Sequence, residues 1–169
     1  MSVRQGFVAP RGTATLPAMP AFQPLDPAFA SRVRQSFARQ RLLATMGATL
    51  ERVEPGEVEI RLPFREDLTQ QHGFLHAGAI TSVVDTACGY AALTLMPPGA
   101  AVLSVEFKVN LLSPGRGESF VARARVKRAG RTVTVVTGDV FALRGGEERL
   151  VATMLATMMT LLGRPDLEG

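Results

Sequence analysis

Gln70-Gln71-His72-Gly73-Phe74-Leu75-His76-Ala77-Gly78, continuing through Ile80-Thr81-Ser82-Val83-Val84-Asp85-Thr86-Ala87-Cys88, is the stretch whose reading decides the fold. Its first half is polar and glycine-bearing, a loop. Its second half puts Ile80, Val83, Val84, Ala87, Cys88 and Ala91 on one stripe, which predicts a long helix over about 77–95. Pro97-Pro98-Gly99 ends it. Everything beyond reads as strand. Residues 101–111 alternate Leu103, Val105, Phe107, Val109 and Leu111 against Ser104, Glu106, Lys108 and Asn110. Further strands are expected at about 118–128, 131–143 and 148–161, joined by turns at Ala129-Gly130 and Gly145-Gly146.

Upstream, Asp26 before Pro27 predicts the N-cap of a short amphipathic helix through Phe29, Val33 and Phe37, ending near Arg41. Strands follow at about 46–54 and 56–64 around Pro55-Gly56. One helix covered by a curled antiparallel sheet of about six strands is an α+β architecture. Residues 1–24 hold no acid and no period and read as a flexible arm, residues 25–163 as the domain, and 164–169 as a short tail.

With 169 residues, 46% hydrophobic and 20% charged, the chain is the size of one folded domain rather than two. Its apolar runs fall well short of the ~20 residues that cross a bilayer. The start, MSVRQGFVAPRG, lacks the apolar block of a secretory signal, so a cytoplasmic protein without membrane partners is expected. The single Cys88 and two histidines make no metal set, and no cofactor is expected.

The net charge of +4 divides unevenly: residues 1–50 carry six arginines against one acid, and the remainder is nearly neutral. Locally, Arg116, Arg123, Arg125, Lys127, Arg128 and Arg131 face only Glu118. A solvated strand face and a ligand with several phosphates both fit this patch. Nucleic acid fits it poorly, for lack of a recognition helix or an aromatic platform.

The chemistry concentrates at Asp85, in the middle of 42 residues, 66–107, that contain no Lys or Arg. A carboxylate among valines without a cation is costly unless something uses it. Gly78, Thr81, Ser82, Cys88, Gly89 and Ala92 share its helical sector and are all small, which suits close approach by a substrate or a second subunit. At the helix start, Ala77 and Gly78 present backbone N–H groups expected to be unpaired and suited to an oxyanion. Gln70 offers an amide beside them. His76 is the expected helix-start histidine, and Cys88 reads as small core filler.

Gln70 through Gly78 followed by Asp85 resembles the N-x-x-G-x-x-H-G-G-x(6)-D signature of the PaaI-like hotdog-fold acyl-CoA thioesterases. Ser104-Val105-Glu106-Phe107 and Leu112-Ser113-Pro114 are also similar to that family's strand after the helix. The resemblance implies a hotdog fold, a homodimer or homotetramer, and active sites between subunits. It implies that Asp85 is the general base or nucleophile, that the Ala77 N–H polarises the thioester carbonyl, that Gln70 replaces the family's asparagine, and that Ser104 orients water. On that basis His76, Arg128 and Arg131 are the expected substrate-binding residues and acyl-CoA the expected substrate. A non-catalytic acyl-CoA sensor is the alternative, and a hydratase is disfavoured by the lack of further histidines.

Overall fold

The computed structural model describes residues 22–164. The elements are α1 (Phe29–Ala38), α2 (Arg41–Met46), β1 (Thr49–Glu54), β2 (Glu57–Pro63), a 3-10 turn (Glu66–Leu68), α3 (Ala77–Leu93), β3 (Ala101–Leu111), β4 (Ser119–Ala129), β5 (Val133–Arg144) and β6 (Glu147–Leu161). All strand pairs are antiparallel, and the sheet order is β1-β2-β4-β5-β6-β3. The chain leaves β2, runs through α3, and returns as β3 on the opposite edge. The helix is thereby laid across the inner face of the curved sheet, which is the hotdog fold.

Alternation explains which side chains meet. Val58, Ile60 and Leu62 of β2, Phe120, Ala122 and Ala124 of β4, and Val136 and Val140 of β5 all point inward and are buried. Against them lies the stripe of α3 through Ile80, Val83, Val84, Ala87, Cys88 and Ala91. Gly138 sets how closely helix and sheet approach: a Cβ there would stand 2.4 Å from Val84 Cγ2 and 2.8 Å from Cys88 Sγ. Burial pushes the Cys88 thiol above its ordinary range, as expected of core filler.

Three local expectations need correction. The segment after α1 is a second helical turn, α2, where a strand was expected from residue 46. Leu43 and Met46 bury on one side of it, and Gly47 stops it in the left-handed region at φ 74°. Asp26 is not the N-cap of α1, which is Ala28. Its Oδ1 accepts the Ala28 N–H at 2.8 Å, and its other oxygen pairs with Arg32 at 3.1 Å. Arg32 in turn donates to the carbonyls of Pro97, Leu93 and Met96 at 2.7–3.0 Å, capping the C-terminal end of α3.

The third correction carries the most weight. The alternation expected to run unbroken through β3 is interrupted by a β-bulge at Val105. Ser104 stands opposite the inward-facing Met158, and beyond the bulge Phe107 and Val109 stand opposite the inward-facing Ala156 and Met154. Ser104 and Phe107 therefore share the helix side, although strict alternation puts them on opposite faces. Most of the expected arm lies outside the described residues, but Phe22 packs against the core and over Gly56.

Candidate active site

The bulge brings Ser104 to α3. Its Oγ donates to Asp85 Oδ1 at 2.9 Å. Asp85 is half-buried, and no ion pair reaches it among the described residues, consistent with the cation-free sequence around it. Burial raises its pKa from the ordinary carboxylate value, and the Ser104 hydrogen bond pulls it partly back down. The second carboxylate oxygen remains available. This is a carboxylate held in one orientation and poised to take a proton, the profile of a general base.

The start of α3 is built by His76. Its backbone carbonyl accepts the N–H groups of Ala79 and Ile80, and its Nδ1 accepts the Gly78 N–H at 2.8 Å. His76 is thus the N-cap, and Gly78 does not present a free amide as the sequence led us to expect. A Cβ on Gly78 would press against Nδ1 at 3.0 Å, so the glycine lets the imidazole close over the helix end. Of the first-turn amides, Ala77 alone lacks an acceptor among the described residues. Gln70 sits beside it in a loop closed by its own backbone, Gln70 N–H to Phe74 O and Gly73 N–H to Gln70 O at 2.9 Å each. Its Oε1 accepts the His72 N–H, which leaves the NH₂ end as the donor toward the cleft.

That cleft, about 390 Å³, lies between Gln70, Phe74, Ala77, Ile80, Leu111 and Pro114. It is mostly apolar. Sequence reasoning did not single out Phe74 or Leu111, because both read as ordinary apolar positions of a loop and a strand.

The basic patch divides. Arg123 pairs with Glu148 at 2.6 Å and Arg125 with Glu57 at 2.7 Å, so counting charge along one stretch missed the carboxylates that neighbouring strands bring across. Arg128 and Arg131 remain exposed at the β4–β5 hairpin, without an ion pair among the described residues. Ala129 lies on the cross-strand row running Ser104, Met158, Thr134, Ala129. Three strand spacings put the hairpin about 14 Å from Ser104.

One long helix laid inside a curved antiparallel sheet is the hotdog architecture of a class of thioester hydrolases. The chain belongs to the thioesterase superfamily, whose family profile matches residues 72–148. A thioesterase family protein from Silicibacter pomeroyi is 56% identical, with a TM-score of 0.79 over 80% of this chain and 99% of that one. The Escherichia coli PaaI protein shares the fold at TM-score 0.73 and 17% identity, over 81% of this chain and 96% of that one. Human acyl-coenzyme A thioesterase 13 is 31% identical over 93 residues, 54% of this chain. That match spans 66% of the human protein, just under two thirds of its length.

Proposed function

We propose that this protein hydrolyses acyl-CoA thioesters at a site completed by two copies of the chain. The observation that carries the reading is Asp85 itself, oriented by Ser104 and raised in proton affinity by burial without a cation nearby. Water placed against Asp85 gives up its proton to the carboxylate as its oxygen bonds to the thioester carbon. The C–S bond then breaks, and the CoA thiolate leaves, a good leaving group because thiols ionise near pH 8.5. Attack by Asp85 itself is the other route open to the same group.

On this reading a single chain does not complete the reaction. Asp85 stands eight positions beyond Ala77, about 12 Å along α3 at 1.5 Å per residue. One carbonyl cannot touch both. Edge strand β3 supplies the remedy, since Leu103, Val105 and Phe107 are 48%, 51% and 43% exposed on it. An unpaired apolar edge invites antiparallel pairing with a second copy. A two-fold axis near the middle of β3 sets the Ser104 end of one strand against the Leu111 end of the other. Asp85 of one subunit then meets the Ala77 N–H and Gln70 of its partner. The exposed Arg128 and Arg131, about 14 Å from Ser104, suit the CoA phosphates at the end of the pantetheine arm. Acyl-coenzyme A thioesterase 13, by its name, acts on the same substrate class.

Mixing variants tests both halves of the reading. Asp85→Asn should release thiol from acyl-CoA about 10²- to 10⁴-fold more slowly than the parent. Ala77→Pro removes the proposed oxyanion donor at a helix position that tolerates proline. Co-expressed with different tags, the two variants should form mixed dimers with one intact site and recover about a quarter of parental activity. Mixed dimers as inactive as either variant would sink the shared site. Parental turnover in Asp85→Asn would mean that the carboxylate is not the catalytic group.

A further inference from the structure

Arginines over the middle of the sheet and near its β1 edge are neutralised: Arg52, Arg61, Arg65, Arg123 and Arg125 each lie within 4.0 Å of a carboxylate. Arg116 and Arg144 are not, among the described residues. They line a groove of about 510 Å³ with Phe64, Phe74 and Glu118, at the end of the sheet where α3 begins. The Arg116 guanidinium lies 4.5 Å from the centre of the Phe74 ring. Phe74 also lines the apolar cleft beside Ala77, so the cleft and the groove share this residue.

The loop bearing Arg116 is held from several sides. Leu75 N–H donates to Gly115 O at 3.0 Å, Glu118 N–H to Leu143 O at 2.8 Å, and Arg149 Nη2 to Pro114 O at 2.9 Å. A Cβ on Gly115 would come within 3.0 Å of Leu75 Cβ, and one on Gly117 within 3.0 Å of Leu143 O. Arg116 therefore stands between two glycines required by close packing, its backbone preorganised and its guanidinium outside ion-pair distance of any carboxylate among the described residues, although Glu118, Glu147 and Glu148 line the same surface.

We propose that Arg116 and Arg144 bind an anionic group at the far end of the acyl chain, so that the preferred substrates are acyl-CoAs ending in a carboxylate. The proposal rests on the hydrolase reading above and names its substrate class. Distance selects the acyl end over the nucleotide end. Phe74 is three residues from Ala77, hence at most about 10 Å from the proposed oxyanion amide. A pantetheine arm, with the reach of four or five extended residues, spans about 15 Å and matches the hairpin arginines on the other side of the thioester. Arg149, which braces Pro114, is a positioning residue for this subsite.

The test compares octanoyl-CoA with its ω-carboxy counterpart, suberyl-CoA, by thiol release from the parent, Arg116→Gln and Arg144→Gln. The parent should prefer suberyl-CoA. Each variant should lose about tenfold in kcat/KM on suberyl-CoA while keeping octanoyl-CoA within twofold, the scale of one charge-assisted hydrogen bond. Equal losses on both CoA esters, with acyl-pantetheine thioesters unaffected, would assign the groove to the CoA phosphates and overturn the proposal. So would parental preference for octanoyl-CoA. If the parent releases thiol from neither ester nor from shorter acyl-CoAs, the hydrolase reading itself fails, and this proposal with it.

Discussion

Asp85 sits between two opposing influences: burial disfavours its charge, and the Ser104 hydroxyl favours it. A general base works only when deprotonated, so kcat/KM should fall as pH drops through the Asp85 pKa, with the acidic limb displaced upward from the ordinary aspartate value. Ser104→Ala removes the influence that lowers this pKa. The limb in the variant should move to higher pH, read from a pH profile with one acyl-CoA. A limb that stays in place would mean that Asp85 does not govern the reaction. The same burial bears on stability. A carboxyl whose folded pKa is raised above its unfolded value makes the native state bind more protons between the two, so stability rises as pH falls through the folded pKa to the unfolded value. Above it, charged Asp85 is a cost to folding. Asp85→Asn should therefore melt at a higher temperature than the parent near neutral pH while losing turnover, as checked by thermal denaturation at pH 7 and pH 4.

At the scale of elements, α3 is positioned by its two ends and by its approach to β5. His76 caps the start and Arg32 the finish. His76→Ala should lower stability by about 1 kcal/mol, and His76→Asn, which can still accept the Gly78 N–H, should restore most of it in urea titrations. Restoration of activity along with stability would place the histidine's role in the cap rather than in substrate contact. Gly138→Ala puts a methyl where Val84 and Cys88 already stand and should cost about 1–3 kcal/mol by overpacking. A neutral effect would mean that α3 can lift from the sheet. The periodicity of residues 77–95 is enough to reveal the long helix, because an apolar stripe must be buried. The bulge at Val105 left no such mark. Alternation in β3 looks unbroken because both faces of the edge strand carry apolar residues over part of its length, and only pairing with β6 reveals the extra residue.

For the whole molecule, the apolar β3 edge is the surface that the proposed assembly requires. A Val105→Lys/Phe107→Lys double variant should elute as a monomer and lose thiol release, with its far-ultraviolet circular dichroism unchanged, because charges on an edge strand oppose edge-to-edge pairing. A monomer with full activity would show that one chain suffices. No described helix is long and apolar enough to cross a membrane.

By itself the sequence determined the order of the six strands around the long helix and the isolation of Asp85, together with the motif from Gln70 to Gly78 of a family to which the chain belongs. These are consequences of periodicity and of which residues are absent nearby, and both are local properties of the chain. Tertiary structure decided the rest. It spent the Gly78 amide on His76 and left the Ala77 amide, of those in the first turn, without an acceptor among the described residues, neutralised Arg123 and Arg125 with carboxylates from other strands, and turned Ser104 onto Asp85 through a bulge. Each of these depends on which groups distant in sequence stand within about 3–4 Å of one another, and hydrogen bonds and ion pairs act only at that range.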